Sequence, residues 1–171
     1  MPANIISKVV EIENCNKDLL IKAIYTPEFW ITVNPSKKMD AKFTAPNVLY
    51  TKITDEIISI KVEMEGELVL QDKGEQERNK GHLIEMNVRN NEDVKELEGR
   101  MRIKALSPNK SKIGVFIDHF ALGSDFLNLI GKSVAELTLR TKITDMLRNL
   151  ERWLKTHSLD DLKKNNKQNI N

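Results

Sequence analysis

The chain has 171 residues, and its 27 Lys and Arg nearly balance its 25 Asp and Glu, for a formal net charge of +2. That length allows one sizeable core without staples, and the even balance gives no strong field for nucleic acid. Cys15 is the one cysteine, no run of about 18 apolar residues occurs, and Met1 to Val10 lacks a basic stretch followed by an apolar run. An internal disulfide, a membrane-spanning helix and a secretory leader are therefore not expected, and the expected compartment is the cytoplasm.

The first segment, Asn4 to Ile12, is short and rich in Ile and Val and reads as a strand. Asn16 then offers a helix N-cap, with Asp18 in the first turn, before Leu19 to Ile24. Thr26 and Pro27 repeat the signal, with a hydroxyl to cap and a proline at the first helical position. This predicts a second short helix carrying Phe29, Trp30 and Val33, ended by Asn34-Pro35-Ser36.

From Lys37 to about Phe120 the period becomes two. Met39, Ala41, Phe43 and Ala45 alternate with polar neighbours, and Val48 to Thr54 is a further strand closed by Asp55-Glu56. Ile58, Ile60, Val62, Met64, Gly66, Leu68 and Leu70 then hold one face while Ser59, Lys61, Glu63, Glu65 and Glu67 hold the other. Such alternation is an antiparallel strand with one wet face, and Asp72-Lys73-Gly74 reads as its turn. Three more strands follow: one over His82, Ile84, Met86 and Val88; one over Leu97, Gly99, Met101, Ile103 and Ala105; one over Ile113, Val115 and Ile117. The short polar breaks suit hairpins rather than crossovers, so the sheet is expected to be a meander.

Asp125 to Lys155 has no proline and one glycine, Gly131. At about 100° per residue, Leu127, Ile130, Val134 and Leu137 share one side, and Leu139, Ile143, Met146, Leu150 and Trp153 nearly the opposite one. Either the helix kinks, or its first half meets something other than the sheet: the preceding loop, a second copy of the chain, or a membrane surface. The residues from 158 to 171, with Lys163, Lys164 and Lys167 among asparagines, read as a polar disordered tail behind one domain over residues 1–157.

The order is strand, two short helices, six strands, long helix. It resembles the helix-grip fold of the START, birch-pollen-allergen and polyketide-cyclase superfamily over residues 4 to 155. Gly66-Glu67-Leu68-Val69-Leu70 and Gly123 to Gly131 are similar to the G-type accessory proteins of carbon monoxide dehydrogenase, and uncharacterised archaeal proteins look like this too. The resemblance implies an α+β fold in which a seven-stranded curved antiparallel sheet surrounds a long C-terminal helix, with a pocket between them for an apolar molecule, lipid-like or polyketide-like. It also places Phe29 and Trp30 at the pocket mouth, where they either form a lid or anchor the short helix.

The residues speak to that pocket separately. Gly66 and Gly99 fall on the inward phase, where they curve the sheet and either open space for a ligand or admit helix side chains. Met64, Met86 and Met101 are inward, where flexible thioethers either fill the core or line a pocket that adapts to apolar guests. Thr138, Thr141 and Thr144 lie near the Val134 side, where their hydroxyls either meet a ligand or bond back to the carbonyl one turn earlier. The expected ligand-binding set is Phe29, Trp30, Tyr50, Met64, Gly66, Met86, Gly99, Met101, Val134, Thr138 and Thr141. No catalytic or metal-binding residue is assigned and no cofactor is expected, since CxxC, HExxH and phosphate-loop motifs are absent. An enzyme of the cyclase or hydrolase type requires His82, His119 or Tyr50 to converge in the pocket. A protein-interaction module, either a recruiter like those dehydrogenase accessory proteins or a chaperone aid, requires Leu127, Ile130 and Val134 to face a partner.

Overall fold

The computed structural model describes residues 5–57 and 59–162. Strand β1 (Ile6–Glu13) leads to helices α1 (Lys17–Ile24) and α2 (Pro27–Val33). Both helices start as the sequence dictates. The Asn16 side chain accepts from Leu19 N–H at 3.0 Å, and the Thr26 hydroxyl accepts from Phe29 N–H at 3.4 Å, each satisfying a donor that a first helical turn leaves open.

Six strands follow: β2 (Lys38–Ala45), β3 (Val48–Ile57), β4 (Ile60–Gln76), β5 (Gly81–Arg89), β6 (Val94–Ser107) and β7 (Lys110–Leu122). All seven form one antiparallel sheet in the order β1-β7-β6-β5-β4-β3-β2. The meander is as expected, and β1 closes it by pairing with the last strand.

Two turns sit later than the sequence suggests. Asp55 and Glu56 are not a connection but the end of β3, paired with Val62 and Lys61. The chain reverses between Ile57 and Ile60, with Ser59 at φ 63°. Ile58, expected to open the inward row, lies outside the described residues. Asp72-Lys73-Gly74 is a bulge inside β4, not its end. Gly74 takes φ 73° and its N–H donates to the Asp72 carboxylate at 2.8 Å. The turn comes at 77–80, where Arg78 and Asn79 hold φ near 60°, the paired positive values of a hairpin whose twist matches its strands.

The C-terminal helix is two helices, α3 (Ser124–Ile130) and α4 (Lys132–Trp153), broken at Gly131 with φ 78° and ψ 153°. The break resolves the phase conflict in the sequence. Ile130, Val134 and Ala135 join Ile57 and Val62 in a small apolar cluster at the β3–β4 hairpin, while Ile143, Leu147 and Leu150 enter the main core against the concave sheet face. The side chain of Leu127 lies outside the described residues. Open space surrounds the position of a Cβ at Gly131, so Gly131→Ala is penalised by backbone conformation alone. It is expected to cost about 1–2 kcal/mol and to lower Tm by roughly 2–8 °C in a calorimetric scan; an unchanged Tm would show that the break is not needed.

Packed structure continues past residue 157, against the expectation of a tail from 158. Leu159 and Leu162 are 4% and 2% exposed in the main core. Asn14 ties the segment down by donating to the Leu154 and His157 carbonyls at 2.8 and 3.1 Å. Two leucines three apart put one face of a helical turn on the core. Residues 163–171, with the lysines expected in the tail, lie outside the described residues.

Candidate functional site

Helix α4 does not fill the hollow of the sheet. A cavity of about 310 Å³ lies between them, walled by α2, the inward faces of β2 to β7, and α4. Inward rows build it. Leu49, Thr51, Ile53, Asp55 and Ile57 come from β3, Met64, Gly66 and Leu68 from β4, and Met86 and Val88 from β5. Five of the chain's six methionines, Met39, Met64, Met86, Met101 and Met146, line it. Their unbranched thioethers let a wall adjust to its contents at low cost.

Of the residues expected to bind a ligand, seven line the cavity: Phe29, Trp30, Met64, Gly66, Met86, Met101 and Thr138. Phe29 and Trp30 are each 5% exposed and meet edge to face at 5.3 Å. The Trp30 indole N–H donates to the Ile24 carbonyl at 2.8 Å, and Asn149 donates to the Val33 and Asn34 carbonyls. The α2 wall is thus anchored to both α1 and α4. The Thr138 hydroxyl bonds back to the Val134 carbonyl at 2.8 Å, and Thr144 does the same to Arg140 at 3.0 Å.

Four do not line it. Tyr50 takes the phase opposite to Leu49 and Thr51, so its ring lies on the other sheet face under Lys42, 5.4 Å from the ring centroid. A hydrogen bond with Glu65 raises its hydroxyl pKa there. Gly99 falls at a bulge, where a Cβ would stand 2.4 Å from the Phe116 carbonyl oxygen; strand β7 occupies that space. Val134 packs into the hairpin cluster, and Thr141 is exposed.

The histidines stay apart from the cavity. His82 Nε2 lies 2.6 Å from Asp72 Oδ1, and His119 is exposed with Nδ1 3.9 Å from Glu96 Oε1. His157 stacks on Trp153 at 4.7 Å. The convergence of His82, His119 and Tyr50 required for the enzyme reading does not occur. Cys15 is fully buried, and burial outweighs the opposing hydrogen bond with Ser111, pushing its thiol up to about 11. Among the described residues no group of three or more His, Cys, Asp or Glu is placed to hold a metal ion.

One polar feature of the wall goes beyond the sequence expectations. Asp55 is 5% exposed and faces the cavity, where Lys142 Nζ meets its Oδ2 at 2.5 Å. The Glu56 N–H donates to Oδ1 at 2.9 Å, and Lys142 also donates to the Pro35 carbonyl at 3.2 Å. Burial pushes the Asp55 carboxyl up, but the hydrogen bonds from Lys142, Glu56 and Ser36 and the charge on Lys142 outweigh it, and the net direction is down. Turn-like composition at Asp55-Glu56 hides this inward carboxylate. The available signal is its odd-numbered phase behind Leu49, Thr51 and Ile53.

No family model matches the chain, and no curated protein matches it by sequence. Solved structures do. A START superfamily protein from Mycobacterium smegmatis is 18% identical with a TM-score of 0.61, over 88% of this chain and 96% of that one. A Thermus thermophilus protein is 9% identical at a TM-score of 0.63, over 87% and 95%. The ZhuI aromatase/cyclase from Streptomyces sp. R1128 is 11% identical at 0.57, over 93% of each. The chain has the START-type helix-grip fold.

Proposed function

We propose that this protein binds a compact hydrophobic small molecule between sheet and α4, as a carrier or sensor. The observation that carries the reading is the cavity itself, about 310 Å³ and walled mostly by aliphatic, aromatic and methionine side chains. That volume is at the lower end of small-molecule sites, roughly 300–1,000 Å³, and suits one or two rings or a short chain. Each 100 Å² of apolar surface that such a guest buries contributes about 2.5 kcal/mol before ordering costs. Among structures of the same fold, one is an aromatase/cyclase and another, norcoclaurine synthase from Thalictrum flavum, was solved with dopamine and hydroxybenzaldehyde. Both descriptions fit a hollow for compact ring compounds.

A catalytic reading has one specific observation in its favour: Lys142 and Asp55 stand together on the wall. As placed, each is committed to the other, so the pair serves first to neutralise a buried charge. Native mass spectrometry of protein purified without denaturant tests the binding reading. A retained species of a few hundred daltons that is lost on denaturation is the expected result. Protein that carries nothing, and that also fails to take up 2-acetylnaphthalene, contradicts it.

Ile130 is 8% exposed and Val134 packs beside it within the chain, whereas Leu129 and Leu137 are about 60% exposed. No helix among the described residues is long and apolar enough to cross a membrane.

A further inference from the structure

Gly66 marks a second polar spot on the cavity wall, at a distance along the sheet from the Asp55–Lys142 pair. A Cβ on Gly66 would stand 2.7 Å from Asn91 Cβ and 2.8 Å from Asn91 Nδ2. The glycine is therefore the seat of the Asn91 side chain, which reaches in from the β5–β6 loop. Asn91 Oδ1 accepts from the Asp93 and Val94 N–H groups at 3.0 and 2.9 Å. Those two bonds fix which end of the amide is oxygen, and they leave Nδ2 on the cavity side. Thr51 is the register partner of Gly66 on β3. Neighbouring side chains on one face of such a pair lie about 4.5–5.5 Å apart at Cβ, so Thr51 and the Asn91 side chain seated on Gly66 are neighbours on one face of the sheet. Both residues line the cavity, and among the described residues neither Asn91 Nδ2 nor the Thr51 hydroxyl has a hydrogen-bond partner.

Neither atom is among the buried polar atoms left without a partner, so both are accessible and offer two donors to whatever occupies this part of the cavity. We infer that Thr51 and Asn91 recognise a neutral oxygen, a carbonyl or hydroxyl, on an otherwise apolar ligand. The charge around the spot argues for a neutral group. Glu67, Glu92 and Asp93 flank it; burial and the neighbouring Glu92 raise the Asp93 carboxyl, and among the described residues the only cation paired with Glu67 is Arg89. A carboxylate ligand head placed here would meet like charge.

The inference rests on the binding reading above and names the ligand class for that cavity. A matched pair of probes tests it: 2-acetylnaphthalene, and 2-isopropylnaphthalene, which has the same shape without the oxygen. Thr51→Val removes one donor at nearly constant volume. Asn91→Asp keeps the two accepted N–H bonds and turns the donor into an acceptor. Affinities are measured by calorimetry on wild type and on both variants, with thermal melts to verify folding; the two sites are on different elements, so one variant suffices if the other does not fold. Each variant is expected to lower the ketone-to-hydrocarbon affinity ratio roughly three- to tenfold. Binding of both probes with a ratio that neither variant moves overturns the inference and leaves the binding reading intact. Failure of wild type to bind either probe overturns the binding reading, and this inference with it.

Discussion

Lys142→Met is expected to destabilise the protein by about 3 kcal/mol at pH 7, because it leaves the Asp55 carboxylate buried without its cation. The carboxylate keeps the Glu56 N–H, but Lys142 supplies both a hydrogen bond and the compensating charge. The dependence on pH identifies the cause. In the wild type the folded Asp55 pKa is depressed, so its contribution is present above the unfolded value of about 3.9 and is lost as pH falls through the folded value. In the variant, burial, the largest single influence on Asp55, is opposed only by the remaining hydrogen bonds. The folded pKa is then expected to rise relative to wild type, so the variant loses less stability than wild type as pH falls. The deficit of the variant is therefore expected to shrink from pH 7 toward pH 4 in urea titrations. Asp55→Asn combined with Lys142→Met is expected to recover part of the loss. A deficit under about 1 kcal/mol, flat with pH, would mean that the pair is an ordinary surface contact.

Val88→Trp is the second large effect. Val88 lines the cavity opposite Leu68 in the β4–β5 register, and the substitution trades a small side chain for the largest one on a wall that faces empty space. Filling a hollow avoids the clash that the same change brings in a packed core. The fold is expected to survive, with Tm unchanged or raised. Affinity for 2-acetylnaphthalene is expected to fall at least about tenfold, or 1.4 kcal/mol. A variant that folds and binds as tightly as wild type would place the guest somewhere else.

Much of this architecture is legible in the residues. Alternation from Ile60 to Leu70 is a local property of a strand with one dry face, and the caps at Asn16 and Thr26 are local too. The opposed phases of Ile130 and Ile143 even signal a break, which Gly131 provides. The departures share a cause. Asp55-Glu56 and Asp72-Lys73-Gly74 have turn composition, yet Asp55 is held inside a strand by Lys142, 87 positions away in sequence, and Gly74 serves a bulge. Leu159 and Leu162 are too few to show a period, and the segment before them is tied by Asn14, about 140 positions away in sequence.

The site divides along the same line. Met64, Met86 and Met101 follow from strand phase. Tyr50 does not, since Leu49 and Ile53 on its own strand put it outside. Gly66 suggests open space by its lack of a side chain, and the space belongs to Asn91, a loop residue whose position no periodicity encodes.

The methionines give the most direct test of the central claim, since Met39, Met64, Met86, Met101 and Met146 surround the cavity from β2, β4, β5, β6 and α4. Protein labelled with 13C at the methionine methyls is titrated with 2-acetylnaphthalene and followed by NMR. The expected result is that these five resonances move together and saturate at one stoichiometric equivalent. Resonances that stay in place up to the solubility limit of the probe would contradict a ligand site between sheet and helix.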